Sequence, residues 1–409
     1  MNSWQSEEKT DQAIKIILFL ISPFIATFYA LRNLKTRSSF LIFFLFAVFF
    51  GMSFTVDLGK NESSSFDGAS YREKFERYIY YYNETDFITS LDNFLYLNEG
   101  AKDYYFFSLS YFVSQITNNY HVLFMVIAIV FAFFALKSLK FLVLEKNFQT
   151  NFGGFVLLSL FMINDIFNIN GVRFWTAAWV GVYCIFQIFR NNNKKYFLLA
   201  AITPFIHVAF WIFLVVMIGA YFSKKTSKPW IILFFISFLV SNISVELVRG
   251  LINILPPVLA NMAEAYTDQG YLAEQQSKGS GFIWVTEIFR FLVKLYMNVM
   301  VALFIHHANT ISANPKTKKL FSFLLIWMTF VNFTTPIPSL GGRFMVMAYP
   351  IIAYIWLVNF YGKKYQRLLY LMPFVFVMFF YVKVILYKGV TDLSFYVSSP
   401  VYLIYKHIL

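Results

Sequence analysis

Arg173 closes the stretch Asn168-Ile169-Asn170-Gly171-Val172-Arg173, between the apolar runs Phe152–Phe167 and Trp175–Phe189. An arginine at the edge of an apolar run is costly unless it has a partner or a task. Its planar fork of donors suits a phosphate, and an adjacent glycine lets backbone approach a ligand closely. The pairing recurs at Gly341-Gly342-Arg343. His207 lies near the middle of another apolar segment, three residues after Pro204. Glu287, Arg290 and Lys294 fall at i, i+3 and i+7, on one helical face inside an apolar run. Glu287 and Arg290 form either a simple ion pair or part of a cavity lining, and the two are compatible. Asp67, Tyr71 and Glu99 come from an acidic, tyrosine-rich stretch, which Tyr104 directly follows. Arginines suit a diphosphate, and aromatic faces suit sugars and a lipid tail. A carboxylate or histidine would take the proton of an attacking sugar hydroxyl. The arginines would stabilise the departing diphosphate, a task often given elsewhere to a metal. Such a set would act on a sugar linked to a lipid diphosphate.

These residues need a membrane scaffold. The chain has 409 residues, 59% hydrophobic and only 13% charged, whereas soluble domains are nearer a quarter charged. Its apolar residues come in long uncharged blocks, which predicts an all-α integral membrane protein. Periodicity and length predict about 11–12 transmembrane helices with short re-entrant or interfacial helices. The first span is Ile14–Leu31 and both termini lie outside. We expect one polytopic domain over residues 1–409, without internal repeats. Residues 57–119 read as an external loop with an interfacial helix from Tyr104, and residues 249–281 as a second external loop. Tyr196–Phe222 has basic flanks at both ends and is too short for two full crossings. It reads as a hairpin of short arms, or a broken re-entrant pair, with His207 near the tip. A single tilted span is the alternative.

Cys184 is the only cysteine, which excludes an intrachain disulfide and any cysteine-cluster metal site. No histidine pair has the spacing of a zinc motif, so no metal and no cofactor are expected. The net charge of +13 lies mostly between spans, where it anchors and orients the chain, so no nucleic-acid partner is expected. No cleavable signal peptide is evident, because the first apolar run follows an acidic start.

The chain resembles the EpsG-like branch of the Wzy polysaccharide polymerases. The resemblance is carried by Asp67-Gly68-Ala69-Ser70-Tyr71, Lys102-Asp103-Tyr104-Tyr105-Phe106-Phe107 and Asn170-Gly171-Val172-Arg173-Phe174-Trp175-Thr176-Ala177. Phe205-Ile206-His207 and Gly342-Arg343-Phe344 complete it. It implies a GT-C-like, metal-independent glycosyltransferase of the bacterial inner membrane. Such an enzyme joins oligosaccharide repeat units at the outer face. The donor and the acceptor would both be carried on undecaprenyl diphosphate, with a flippase and a chain-length regulator as candidate partners. By the same resemblance, Arg173 and Arg343 would hold the diphosphate, and His207 would lie in their cavity. Asp67 and Glu99 are the candidate bases. Tyr71, Asn170, Arg290, Glu287, Lys294 and Tyr104 are candidate substrate contacts. The family's usual hydroxyl residue after the histidine is replaced by Val208-Ala209. A lipid-linked oligosaccharide flippase or an O-antigen-ligase-like transferase would also carry cationic residues on many spans. The flippase reading expects two related halves, which the sequence does not show.

Overall fold

The computed structural model describes residues 4–56, 67–81, 84–96, 98, 103–223, 228–238, 246, 249–250, 252–255, 260–261, 263–264, 267–268, 283–362, 365–371, 381, 390 and 392–409. Every element among the described residues is helical. Three runs are long and apolar enough to cross a membrane: Tyr120–Val143, Phe152–Arg190 and Leu340–Asn359. Several shorter apolar helices accompany them, among them Arg37–Met52 and Phe210–Phe222. The expectation of a helical membrane protein is met at this level. Most of residues 249–281, and most of the last expected span at 368–386, lie outside the described residues. The chain forms two compact units. One comprises residues 1–89, 105–183 and 364–409, the other 90–104 and 184–363.

Ile14–Leu31 is not one span but a helical hairpin, α1 (Lys9–Ile21) and α2 (Pro23–Ala30). Ser22 is extended, at φ −159° and ψ 127°, and Pro23 starts the second arm. The arms return to a common base. Asp11 accepts hydrogen bonds from Tyr29 at 2.7 Å and Asn33 at 2.9 Å. Lys15 is fully buried there, bonded to Glu7, to Thr36 Oγ1 at 3.1 Å and to Ser38 Oγ at 3.0 Å. A buried ammonium is tolerated because carboxylates and hydroxyls surround it. Gln5 N–H donates to the Lys35 carbonyl. The start of the chain therefore sits with the basic Arg32–Arg37 link, at the other end of the hairpin from its tip.

Next comes α3 (Arg37–Met52), then α4 (Asp67–Tyr81), α5 (Glu84–Leu95), α6 (Tyr105–Ser114) and α7 (Tyr120–Val143). Helices α3 and α7 run antiparallel. Gly51 is the contact point, since a Cβ there would lie 2.5 Å from Ala128 Cβ and 2.6 Å from the Phe124 carbonyl. The segment expected as a loop is thus largely two helices, with the i,i+4 ion pairs Arg72–Glu76 and Glu73–Arg77 along α4. At about 15 Å, the ten residues of α6 are too short to span, as its sequence suggests.

Helices α8 (Phe152–Phe161) and α9 (Val172–Ile185) form the expected hairpin around Arg173. Phe161 stacks on Trp179, and Trp179 Nε1 donates to the Asn164 carbonyl at 3.0 Å. At the chain's end, the helix Pro400–His407 is tied to the start of α7 by Asn119 Nδ2, which donates to the His407 carbonyl.

The second unit holds α10 (Tyr196–Ala200), α11 (Thr203–Ile206), α12 (Phe210–Phe222), α13 (Lys228–Ile236), α14 (Ile283–His306), α15 (Lys318–Phe333) and α16 (Ala348–Asn359). Tyr196–Phe222 is broken at His207, whose backbone is extended at φ −154° and ψ 122°. Two short helical arms result, as the length of the segment suggests. Trp327 sits at the centre of the unit, in ring contact with Phe213, Phe323, Phe330 and Phe344. Its Nε1 donates to the Phe344 carbonyl at 3.2 Å, which fixes the backbone after Arg343. Asn298 and Asn332 exchange amide hydrogen bonds of 3.1 and 2.8 Å between α14 and α15.

Candidate active site

In the first unit, Arg173 lies in the first turn of α9, half-buried. The turn before it is built by asparagines. Asn164 Nδ2 donates to the Trp175 carbonyl at 3.0 Å, and Asn168 Nδ2 donates to Asn164 Oδ1 at 2.8 Å. Asp165 caps the short helix Ile166–Gly171 by accepting from Phe167 N–H. Val172 then takes φ 22°, a setting that a β-branched residue rarely adopts. Such a residue costs on the order of 1–3 kcal/mol and persists only where surroundings hold it.

Helix α4 lies against this turn at two points. Asn170 Oδ1 accepts the Gly68 backbone N–H at 3.0 Å, in the first turn of α4. Arg173 Nε donates to Tyr71 Oη at 2.8 Å, and its guanidinium carbon lies 5.5 Å from the Tyr71 ring centroid. The Tyr71 ring packs on Phe106 at 4.6 Å. Arg72, beside it, donates to the Val56 carbonyl and lies 4.0 Å over the Tyr120 ring. Of the sequence candidates, Arg173, Tyr71, Asn170 and Asp67 thus belong to one neighbourhood. Asp67 starts α4 with an exposed side chain.

In the second unit, His207 is buried at the break between α11 and α12. Its Nδ1 accepts the Ala209 backbone N–H at 3.2 Å. A neutral ring in this setting carries its proton on Nε2, so that edge donates. The ring lies 6.3 Å from Phe210, and Phe210 lies 5.2 Å from Phe344, which follows Arg343. Arg343 is half-buried and directly follows a short π-helical turn, Pro338–Gly342. Tyr104 N–H donates to the Phe205 carbonyl at 2.9 Å, and Phe94 packs against the Phe205 ring. Tyr104 therefore reaches the His207 segment through its backbone, with its side chain buried.

Lys294 is half-buried on α14, one turn before Asn298, whose Nδ2 also donates to the Lys294 carbonyl. The side chains of Glu287 and Arg290, and all of Glu99, lie outside the described residues. Among the described residues no group of three metal-ligating side chains gathers.

The glycines beside the two arginines need a different reading. A Cβ on Gly171 would meet the Trp175 indole at 2.6 Å, and one on Gly341 would meet Thr334 backbone at 2.5 Å. Both serve close packing within the protein. Only Gly342 faces open space. Two features escaped the sequence reading: Tyr71 as the partner of Arg173, and the Asn298–Asn332 pair. The pair had a signal, since each asparagine falls in a largely apolar stretch, residues 295–305 and 323–333.

The sequence model of the EpsG family matches residues 42–398, nearly the whole chain. The chain belongs to the EpsG family. EpsG is a Wzy-like polysaccharide polymerase family, so the resemblance to that family is met. A search of curated proteins and a search of solved structures each found no match.

Proposed function

We propose that this EpsG-family polymerase joins oligosaccharide repeat units carried on undecaprenyl diphosphate, at the outer face of the bacterial inner membrane. The observation that supports it most is Arg173, an arginine held at Nε in a hairpin turn built for it. A fixed guanidinium suits a diphosphate, because charge develops on that group as the glycosyl bond breaks. Arg343 supplies a second cation. His207 acts as a donor from Nε2, since Nδ1 is occupied by the Ala209 N–H. That leaves the attacking hydroxyl's proton to a carboxylate, and Asp67, exposed at the start of α4, is the described candidate. Lys294 is a further substrate contact. The reaction needs no metal in this scheme, because arginines take the leaving-group charge.

The test is a reconstituted reaction. Purified protein in liposomes is given its own lipid-diphosphate-linked repeat unit, with EDTA present. Wild type is compared with Arg173→Ala and Arg343→Ala. A ladder of longer lipid-linked glycans, lost in both variants, is expected. Movement of intact units across the bilayer without a ladder would replace this reading with a flippase.

A further inference from the structure

We propose that Tyr71 and Asn170 are positioning residues for Arg173 and not substrate contacts, so that α4 is the clamp on the reactive arginine. This rests on the reading of Arg173 as a diphosphate-binding group. The geometry is a matched pair of contacts. Gly68 and Tyr71 are three residues apart on α4, and so are Asn170 and Arg173 across the start of α9. Both pairs bridge the same 102 residues of sequence. The first turn of α4 is therefore laid along the Asn170–Arg173 turn, with a hydrogen bond at each end.

Each contact constrains a different freedom. Asn170 caps the first turn of α4 and fixes where that helix begins relative to the hairpin turn. The Tyr71 hydroxyl takes the Nε hydrogen, which sets the rotation of the guanidinium plane, while the ring beside it limits tilt. Tyr71 cannot itself lie along a sugar. It is only 6% exposed, and its ring is packed against Phe106. The Asn170 carbonyl oxygen is likewise committed to backbone, and the residue is 5% exposed. Of the three side chains Tyr71, Asn170 and Arg173, it is Arg173 that is half-exposed. Orientation by a neighbour is how a fork-shaped donor becomes selective for a diphosphate in its departing geometry.

The experiment is a double-mutant cycle on the full chain, with two readouts. One is the polymerisation rate at saturating and at limiting lipid-linked substrate. The other is the affinity of the detergent-solubilised protein for inorganic diphosphate. Tyr71→Phe keeps the ring and its packing on Phe106, and removes only the hydroxyl. It should lower the saturated rate by about ten- to a hundredfold, the range for losing a hydrogen bond to a charged group. Thermal stability should change little. Added to Arg173→Ala, Tyr71→Phe should cost nothing further in the residual rate or in diphosphate affinity.

An equal loss in both backgrounds, or a loss confined to limiting substrate, would make Tyr71 a direct contact and overturn the proposal. If wild type makes no ladder, yet the two residues stay coupled in diphosphate binding, the polymerase reading falls and the clamp stands. If a ladder forms without coupling, the clamp falls and the polymerase stands.

Discussion

Gly68→Ala isolates the contact between α4 and the hairpin turn without touching Arg173 or Tyr71. An alanine Cβ at this position would lie 2.6 Å from Asn170 Oδ1, 3.1 Å from Val56 Cγ1 and 3.3 Å from Phe54 Cε1. Relief to an ordinary contact moves Oδ1 away by roughly 0.7 Å or more. The Gly68 N–H to Oδ1 distance, now 3.0 Å, then passes out of hydrogen-bonding range. A lost cap costs about 1 kcal/mol, and stranding a buried carbonyl oxygen adds about 1–3 kcal/mol where it finds no new partner. Replacing a helical glycine by alanine returns about 0.4–1 kcal/mol through the unfolded chain. The net expectation is a loss of about 1 kcal/mol or more.

The control is Gly219→Ala in α12, where a Cβ meets nothing within 4 Å. It should gain stability slightly. Thermal unfolding of both variants in the same detergent reads the difference, and polymerisation in liposomes reads the consequence at Arg173. Gly68→Ala should be less stable than wild type and slower at saturating substrate. If it instead gains stability as Gly219→Ala does, and polymerises at the wild-type rate, Asn170 does not cap α4 and the argument for the clamp is wrong.

Three further outcomes follow from other contacts. Asn298→Leu or Asn332→Leu should each cost about 1–3 kcal/mol, because the partner amide is left buried and unpaired, while the Leu/Leu double variant recovers part of the loss; additive losses in thermal stability would refute this. In a Cys184→Ala background, cysteines at Ser6 and Arg32 should react from the same membrane face with an impermeant maleimide, because Gln5 is bonded to Lys35 at the hairpin base. Labelling from opposite faces would refute the hairpin. The Asp392–Lys406 pair, which anchors the C-terminal helix, should show a pH window. Burial alone would raise the Asp392 pKa, but bonds from Lys406 and Ser394 outweigh it and hold it below the usual carboxylate range. The Lys406 pKa is raised by the bond to Asp392. The pair therefore contributes fully above the unfolded carboxylate's value and below the unfolded ammonium's. It is lost as pH falls through the depressed Asp392 value or rises through the elevated Lys406 value. Lys406 is exposed enough that the contribution is about 0.5 kcal/mol, read as protection of the C-terminal helix from proteolysis across that range.

Two prolines show what sequence reading reaches. Pro204 announced a break because its segment was too short for two crossings and basic at both ends, and the break is there, at His207. Pro23 starts α2 directly after the extended Ser22, yet Ile14–Leu31 reads as one span because its hydropathy is continuous and its length fits a bilayer. The discriminating feature is Ser22-Pro23, whose serine caps α2 by accepting from Ile25 N–H. Helix α4 was hidden for the opposite reason. Its charges suggested a loop, although Arg72–Glu76 and Glu73–Arg77 have helical spacing. Arg173 was legible as an arginine out of place. Its partner was not, because no local rule connects residue 71 to residue 173.

That asymmetry bears on the role proposed for the arginine. A guanidinium that must meet charge as it develops gains most when its orientation is set before substrate arrives, since reorientation during reaction would cost free energy. The turn that carries Arg173 is over-determined in this sense. Trp175 fills the space that a Cβ on Gly171 would take, Asn164 ties the Trp175 carbonyl, and Val172 is held at φ 22° between them. These contacts fix only the backbone. An arginine side chain has enough rotatable bonds to undo that order, so the head group needs its own restraint. Tyr71 supplies it from a helix 102 residues earlier in the chain. The polar helix α4, set among apolar spans, is thereby explained by what it holds.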